Sequence, residues 1–430
     1  MGARLKILGL TAACLLAASC GTLTIQPAKA PNAMDTTMGS YREENADRYI
    51  IVTMTDAMHE QLVRGERVDR EGELPPRYAA FLANLARTYG LKRVADWPLS
   101  SISIRCFVFE AADAARRDAT TAALSRERFV ESAQKLSTYF TTSETVTAQA
   151  PSADPYRNLQ HGFAEMDVAE AQRWATGKSV KVAVIDTGIA TEHPELKSRI
   201  MGIRNFVDRD AHAFNSDVHG TAIAGVIAAS SNNGVGLIGV APEADILGFK
   251  ACWQNNATDP KARCSTFTLA KAVNFAIDQD VDIINLSLGG PPDPLLTRLV
   301  NKALERNIIV IGAVSPEYPG GFPAGLDGVI AVTNRETPEV DAQKMVNAPG
   351  NQVLSTKPQH DYDFYSGSSL SAAHIAGLAA LIRQRKPHLS ASLVKELIVT
   401  TAEPQSHTVN ACRALARVVE GGQCTQSPAH

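Results

Sequence analysis

From residue 180 onward the chain alternates between runs that are apolar almost throughout and amphipathic stretches long enough to be helices. Few folds accommodate that grammar. Lys181-Val-Ala-Val-Ile185 is continuously apolar after its first residue, as a strand covered on both faces must be. Runs of the same type recur at Asp245-Ile-Leu-Gly-Phe-Lys250, Val281-Asp-Ile-Ile-Asn-Leu-Ser287, Ile308-Ile-Val-Ile311 and Gly328-Val-Ile-Ala-Val332. Helical patterns over residues 221–230, 268–279 and 295–306 separate several of them. This alternation predicts an α/β fold built on a doubly wound, mostly parallel sheet, with its active site beyond the carboxyl ends of the strands.

A smaller unit is expected ahead of it. The compact β-rich run Arg48-Tyr-Ile-Ile-Val-Thr-Met54 precedes a helical segment over 78–89 that Gly90 ends. Two strands follow at 91–97 and 102–109, then a helix over 111–124 and a last strand over 128–134. The order βαββαβ over residues 46–135 fits a small α+β sheet with helices on one face. Residues 136–160, with Pro151 and Pro155, read as an exposed connector, residues 161–420 as the large domain and residues 421–430 as a tail.

The amino terminus reads as an export signal. Arg4 and Lys6 precede an apolar stretch at 7–16 that is too short to span a bilayer, and Ala17-Ala-Ser19 follows. Residues 1–19 are therefore assigned as a signal and 20–45, rich in Pro, Thr, Ala and Asn, as a flexible tether. Cysteine usage agrees with export. Apart from Cys14 and Cys20 in the signal, Cys252 with Cys264 and Cys412 with Cys424 form two local pairs suited to disulfides, and Cys106 is left over. All remaining as free thiols is the other reading. A net charge of −3 without a basic run argues against nucleic acid as a partner.

Three short stretches carry the chemistry. Asp186-Thr-Gly188 ends the first buried strand, His219-Gly-Thr-Ala-Ile-Ala-Gly225 opens a small-residue helix, and Gly367-Ser-Ser369 leads into another. Taken singly, each is an ordinary turn or cap. Together they offer an orienting carboxylate, a general base and a nucleophile at a helix N-terminus, where unpaired N–H groups suit a developing oxyanion. No G-x-G-x-x-G follows a strand, which disfavours a nucleotide-binding protein.

Over residues 165–420 the sequence resembles the subtilisin-like serine peptidases (subtilases), which share the chain order Asp, His, Ser. Val182-Ala-Val-Ile-Asp186-Thr-Gly with His193-Pro-Glu-Leu196 is similar to the family's aspartate segment, and the other two stretches to its histidine and serine segments. Ala222 stands where a second histidine is common, and Ser368, Leu370 and Ala373 where Thr, Met and Pro are usual. The resemblance implies that Asp186, His219 and Ser369 are catalytic and that Ser287-Leu288-Gly289 pairs with an extended protein or peptide substrate. No cofactor is implied for catalysis. A structural calcium at Glu195, Ser231, Asn233 and Val235 is one reading of Asn232-Asn-Gly-Val-Gly236; a glycine-rich turn is the other.

Two features depart from, or add to, the family pattern. The asparagine that usually completes the oxyanion hole is absent from Gly312-Ala-Val-Ser315-Pro-Glu317, leaving the Ser315 hydroxyl as a substitute. In subtilisin itself, losing that donor lowers the rate by about 10²–10³. The 46–135 module resembles a propeptide that assists folding and occupies the cleft until it is cut away between about 135 and 160, the alternative being a permanent accessory domain. A small-residue run ending in Cys20 resembles a bacterial lipoprotein signal, which would anchor the chain to an envelope membrane through that cysteine; simple cleavage and release is the other outcome. The expectation is an exported serine endopeptidase, with a catalytically silent peptide-binding protein of the same fold as the alternative.

Overall fold

The computed structural model describes residues 43–64, 75–142, 144–146, 156–208, 210–231, 233–254, 261–334, 345–403, 406 and 408–424. The signal, Cys20, most of the tether, part of the connector and residues 425–430 lie outside the described residues.

Elements run in the order β1 (Tyr49–Thr55), α1 (Asp56–Val63), α2 (Pro76–Tyr89), β2 (Lys92–Leu99), β3 (Ile104–Glu110), α3 (Ala114–Leu124) and β4 (Ser132–Lys135) in the first unit. These four strands form an antiparallel sheet of order β2-β3-β1-β4. Ile50, Val52, Phe107 and Phe109 pack on one face against Tyr78, Leu82 and Leu85 of α2. On the other face Ile51, Trp97, Cys106 and Val108 join the core of the large unit. Coverage on both faces is why β1 and β3 are apolar without alternation. The last strand lies later than the 128–134 expected, because Phe129 and Val130 pack under the helices in a turn rather than in the sheet. The first strand is also followed by a helix, α1, that the sequence pattern did not announce.

Next come β5 (Thr138–Thr141) and β6 (Glu144–Val146), then α4 (His161–Glu165), α5 (Val168–Ala171), β7 (Lys181–Asp186), β8 (Ile200–Asn205), α6 (Ala211–Ser216), α7 (Val218–Ala228) and β9 (Asp245–Lys250). A short ribbon, β10 (Cys252–Gln254) and β11 (Ala262–Ser265), precedes α8 (Thr266–Asp278), β12 (Ile283–Leu286), β13 (Leu288–Gly289), α9 (Pro294–Glu305), β14 (Ile309–Ala313) and β15 (Ile330–Thr333). The chain closes with β16 (Met345–Asn347), β17 (Val353–Lys357), β18 (Asp361–Ser366), α10 (Ser368–Arg385), α11 (Ala391–Thr400) and α12 (Ala411–Ala416).

The central sheet has the order β16-β15-β14-β12-β7-β9-β8, and every pairing in it is parallel. One face packs on α7 and α10 and the other on α8 and α9, which is the doubly wound α/β architecture the alternation predicts. The order doubles back around β7, so the crevice where ligands collect in such sheets opens beside Asp186 at its carboxyl end. Disulfides join Cys252 to Cys264 and Cys412 to Cys424, and Cys106 is a buried free thiol. Among the described residues no helix is long and apolar enough to cross a membrane.

Candidate active site

Asp186 and His219 are brought together by two close approaches. Asp186 ends β7 and is fully buried; its Oδ1 accepts from the Thr187 N–H at 2.6 Å and pairs with His219 Nδ1 at 2.7 Å. His219 is the second residue of α7. Gly220 follows it because a Cβ there would stand 2.6 Å from the Gly188 carbonyl oxygen, so only glycine lets the helix start against the turn after β7. Thr187 completes the joint by accepting from the Gly220 N–H at 2.8 Å through its hydroxyl.

A second carboxylate, unread from the sequence, stiffens this corner. Asp217 lies immediately before α7 and accepts from the Gly188 N–H at 2.7 Å and from the Lys250 ammonium. Lys250 sits opposite Asp186 in the β7–β9 ladder and is buried. Burial pushes the Asp217 carboxyl up, and the Lys250 charge beside it pulls part of the way back. The pair ties together the turn that carries Asp186, the helix that carries His219 and the end of β9.

Ser369 is the second residue of α10, which packs against α7, so Ser369 and His219 both stand in the first turn of a buried helix. The Ser369 hydroxyl donates to the Ser287 carbonyl at 2.8 Å, and the Ser287 hydroxyl donates to the Ser369 carbonyl at 3.0 Å. Asn285 steadies Ser287 by donating to its hydroxyl at 2.9 Å. Ser287, Leu288 and Gly289 are thus held directly beside Ser369, where the sequence expected a substrate-pairing strand.

That strand is already paired. β5 lies between β11 and β13, antiparallel to both, with Cys264 opposite Tyr139, Arg263 and Gly289 opposite Phe140, and Leu288 opposite Thr141. Thr142 follows, and its N–H donates to Ser369 Oγ at 3.1 Å while the two hydroxyls lie 2.7 Å apart. Beyond it β6 pairs with β18, with Glu144 opposite Ser366. Residues 138–142 and 144–146, part of a stretch that reads as an exposed connector, therefore add a strand to each side of Ser369. Tyr139 is fully buried against Phe322, ring centroids 5.5 Å apart.

Ser315 is buried, with its Cβ close against Gly289, and its carbonyl accepts from the Tyr318 N–H in a tight turn. The hydroxyl from this corner that reaches Thr142 belongs instead to Ser368, 2.9 Å from the Thr142 hydroxyl and donating to the Val314 carbonyl at 2.8 Å. No sequence signal distinguished it from a helix-start serine.

The suggested calcium ligands make a different arrangement. Glu195 is fully buried, and its Oε1 accepts from the Leu237 N–H at 2.8 Å and from the Tyr362 hydroxyl at 3.1 Å. Its Oε2 accepts from the Asn233 side-chain amide at 2.7 Å, and Asn233 Oδ1 accepts from the Val235 N–H at 3.1 Å. Val235 is exposed and Ser231 half-buried. A carboxylate met by N–H and O–H donors does not fit a cation, which needs a ring of free oxygens. Among the described residues no group of three or more His, Cys, Asp or Glu is placed to hold a metal.

Residues 177–417 match the model of the Subtilase family. The major intracellular serine protease of Bacillus subtilis (strain 168) is 38% identical over 234 residues, covering 49% of this chain and 72% of that protein. Thermitase of Thermoactinomyces vulgaris is 31% identical over 268 residues, covering 59% and 92% respectively. In structure the chain resembles fervidolysin from Fervidobacterium pennivorans, a keratinolytic enzyme related to subtilisin, with a TM-score of 0.65 and 19% identity over 88% of this chain and 62% of that one. The chain belongs to the subtilase family of serine peptidases.

Proposed function

We propose that the chain is an exported serine endopeptidase made as a zymogen, with Asp186, His219 and Ser369 as its catalytic triad. His219 takes the Ser369 proton as Oγ attacks the scissile carbonyl, and Asp186 holds the Nδ1–H tautomer through its 2.7 Å contact. The amine leaves with the proton from His219, and water then releases the acyl group from Ser369 by the reverse transfers. The Ser369 N–H in the first turn of α10, and the positive end of that helix, are the groups suited to the oxyanion. While Thr142 lies on it, the Ser369 hydroxyl is turned to the Ser287 carbonyl, so attack requires it to swing toward His219.

One observation carries the reading: β5 and β6 are paired with strands on either side of Ser369, and the Thr142 N–H between them donates to its hydroxyl. That is the position of a bound substrate, and the register, with Leu288 opposite Thr141 and the Thr142 N–H on Ser369 Oγ, supports the bond after Thr142 as the one cut. Residues up to 142 then act as a propeptide, covering the cleft until that bond is cut. Two disulfides and the amino-terminal signal support passage to an oxidising compartment, with Cys20 as the site of a lipid anchor.

The test is to follow the purified full chain by mass and amino-terminal sequencing in the presence of a fluorophosphonate probe. Wild-type protein should release a fragment beginning at Ser143 and become labelled, and Ser369→Ala should do neither. Labelling that persists in Ser369→Ala, or an intact and unlabelled wild-type chain, would sink the proposal.

A further inference from the structure

Asp186 shares its corner with two charged side chains that the mechanism above does not use. Asp186 and Lys250 are directly opposed in the parallel β7–β9 ladder, so both side chains leave the sheet on the same face. Asp217 reaches that corner from the residue before α7, and all three groups are buried.

Their hydrogen bonds are unevenly shared. Asp217 Oδ2 accepts from the Gly188 N–H at 2.7 Å and from the Lys250 ammonium. Asp186 Oδ1 accepts from the Thr187 N–H at 2.6 Å and meets His219 Nδ1 at 2.7 Å. The other oxygen of Asp186, Oδ2, is buried and has no hydrogen-bond partner among the described residues. A buried carboxylate oxygen without a donor attracts any ammonium in reach. Lys250 stands opposite it and is nevertheless drawn to Asp217. Burial raises the Asp217 carboxyl, the Lys250 charge opposes that, and the Asp186 charge adds to it, so the three groups act on one another.

We infer that Asp217 is a positioning residue for the triad: by holding the Lys250 ammonium it keeps that cation off Asp186 Oδ2 and leaves the Asp186 charge to the His219 imidazolium. The inference rests on the serine-peptidase reading above. The imidazolium exists only while His219 carries the Ser369 proton, whereas the lysine charge is permanent. With Asp217 made neutral, Lys250 turns to the free oxygen of Asp186, and the carboxylate is already neutralised when the imidazolium forms. His219 keeps its place, because Oδ1 and the Thr187–Gly220 joint are untouched. The loss therefore falls on the transition state, in kcat, and spares substrate binding.

The test compares Asp217→Asn, whose amide oxygen still accepts from Gly188, with Asp217→Asn/Lys250→Met, which removes both charges together. Each full chain is left to process itself, and hydrolysis of an N-acetyl-threonine ester is measured per site that fluorophosphonate labels. In Asp217→Asn, kcat should fall about tenfold or more with KM within about twofold, well short of the about 10⁴-fold that loss of a triad carboxylate function costs. Self-cutting, in which the substrate is already seated, should slow in the same proportion. In the double variant kcat should return to within about threefold of wild type, because no cation is left to compete for Asp186. A merely structural tie predicts the opposite order, with the double variant at least as slow as the single one, and that result overturns the inference. An unchanged kcat in Asp217→Asn overturns it as well. If the single variant does not fold, the double variant decides: a loss of tenfold or more against wild type refutes the inference. Wild-type protein inert to ester and to fluorophosphonate refutes the serine-peptidase reading itself.

Discussion

Lowering the pH is expected to loosen the helix that carries Ser369, and His374 supplies the magnitude. It lies five residues on in α10, buried, with Nδ1 2.9 Å from the Leu370 carbonyl. Burial is the main cause that lowers its pKa from 6.5 to about 4, and the carbonyls of Leu370 and Pro349 pull only part of the way back. The folded protein therefore keeps this imidazole neutral down to about pH 4, whereas the unfolded chain protonates it below 6.5. Because the unfolded state binds more protons in that window, the contribution is fully present above pH 6.5 and is lost as pH falls to about 4. The gap of about 2.5 between the two values, at about 1.4 kcal/mol for each, makes the loss about 3 kcal/mol. The measurement is denaturant unfolding of the full chain in a Ser369→Ala background, which prevents self-digestion, with and without His374→Gln. Other titrating groups cancel in the comparison, so the stability difference between the two proteins should change by about 3 kcal/mol from neutral pH to pH 4. Identical pH dependence would show that His374 does not stay neutral in the fold and would refute the reasoning.

Three further outcomes are expected. Lys250→Met leaves Asp217 buried without its ammonium, which should cost about 3–5 kcal/mol of stability, whereas Lys250→Arg should recover most of it; equal melting temperatures for wild type and Lys250→Met would count against the buried pair. Tyr139→Ala empties a fully buried ring site against Phe322, worth about 3–5 kcal/mol, so the amino-terminal piece should bind the processed enzyme about 10²- to 10⁴-fold more weakly in a titration of residual activity. A chelator in excess should leave the melting temperature in place, because Glu195 is held by Leu237, Asn233 and Tyr362; a fall of more than about 4 °C would mean that a cation contributes 1 kcal/mol or more.

The parts of the fold legible in the sequence were those buried along most of their length. β7, β9, β12, β14 and β15 are covered on both faces, so their apolar runs stand out at any register. β8 escaped notice because it is a half-buried edge strand whose Met201, Gly202 and Arg204 break any pattern. β5 was hidden for another reason. Thr138-Tyr-Phe-Thr is a strand only because Arg263, Cys264 and Gly289, more than a hundred residues away, supply its partners, and local composition carries no trace of them. The site divides in the same way. Asp186, His219 and Ser369 occupy strand and helix ends that punctuation reveals, whereas Asp217, Lys250, Ser368 and Thr142 acquire their roles from contacts across the fold.

The peptide in the cleft is held very unequally on its two sides, and the inequality decides what cutting it would do. Before Thr142, β5 has a ladder on each edge, and the sheet to which it leads is packed onto α8 and α9 through Trp97 and Phe267, 4.6 Å apart edge to face. Ser101 bonds Asn274 through both its N–H and its hydroxyl, Gln134 bonds Asp293, and Arg298 pairs with Glu131. After Thr142, among the described residues, the three-residue strand β6 pairs with β18. Once the connection after Thr142 is severed, the acyl side stays seated across Ser369 on a buried interface, while β6 keeps its pairing to β18. A cleaved propeptide bound in this way remains an inhibitor, so cutting and activation are separate events. If residues up to 142 are a propeptide, the apolar core that Trp97 and Phe267 share across the interface should make release of the amino-terminal sheet from α8 and α9, rather than the chemistry at Ser369, the slow step of activation.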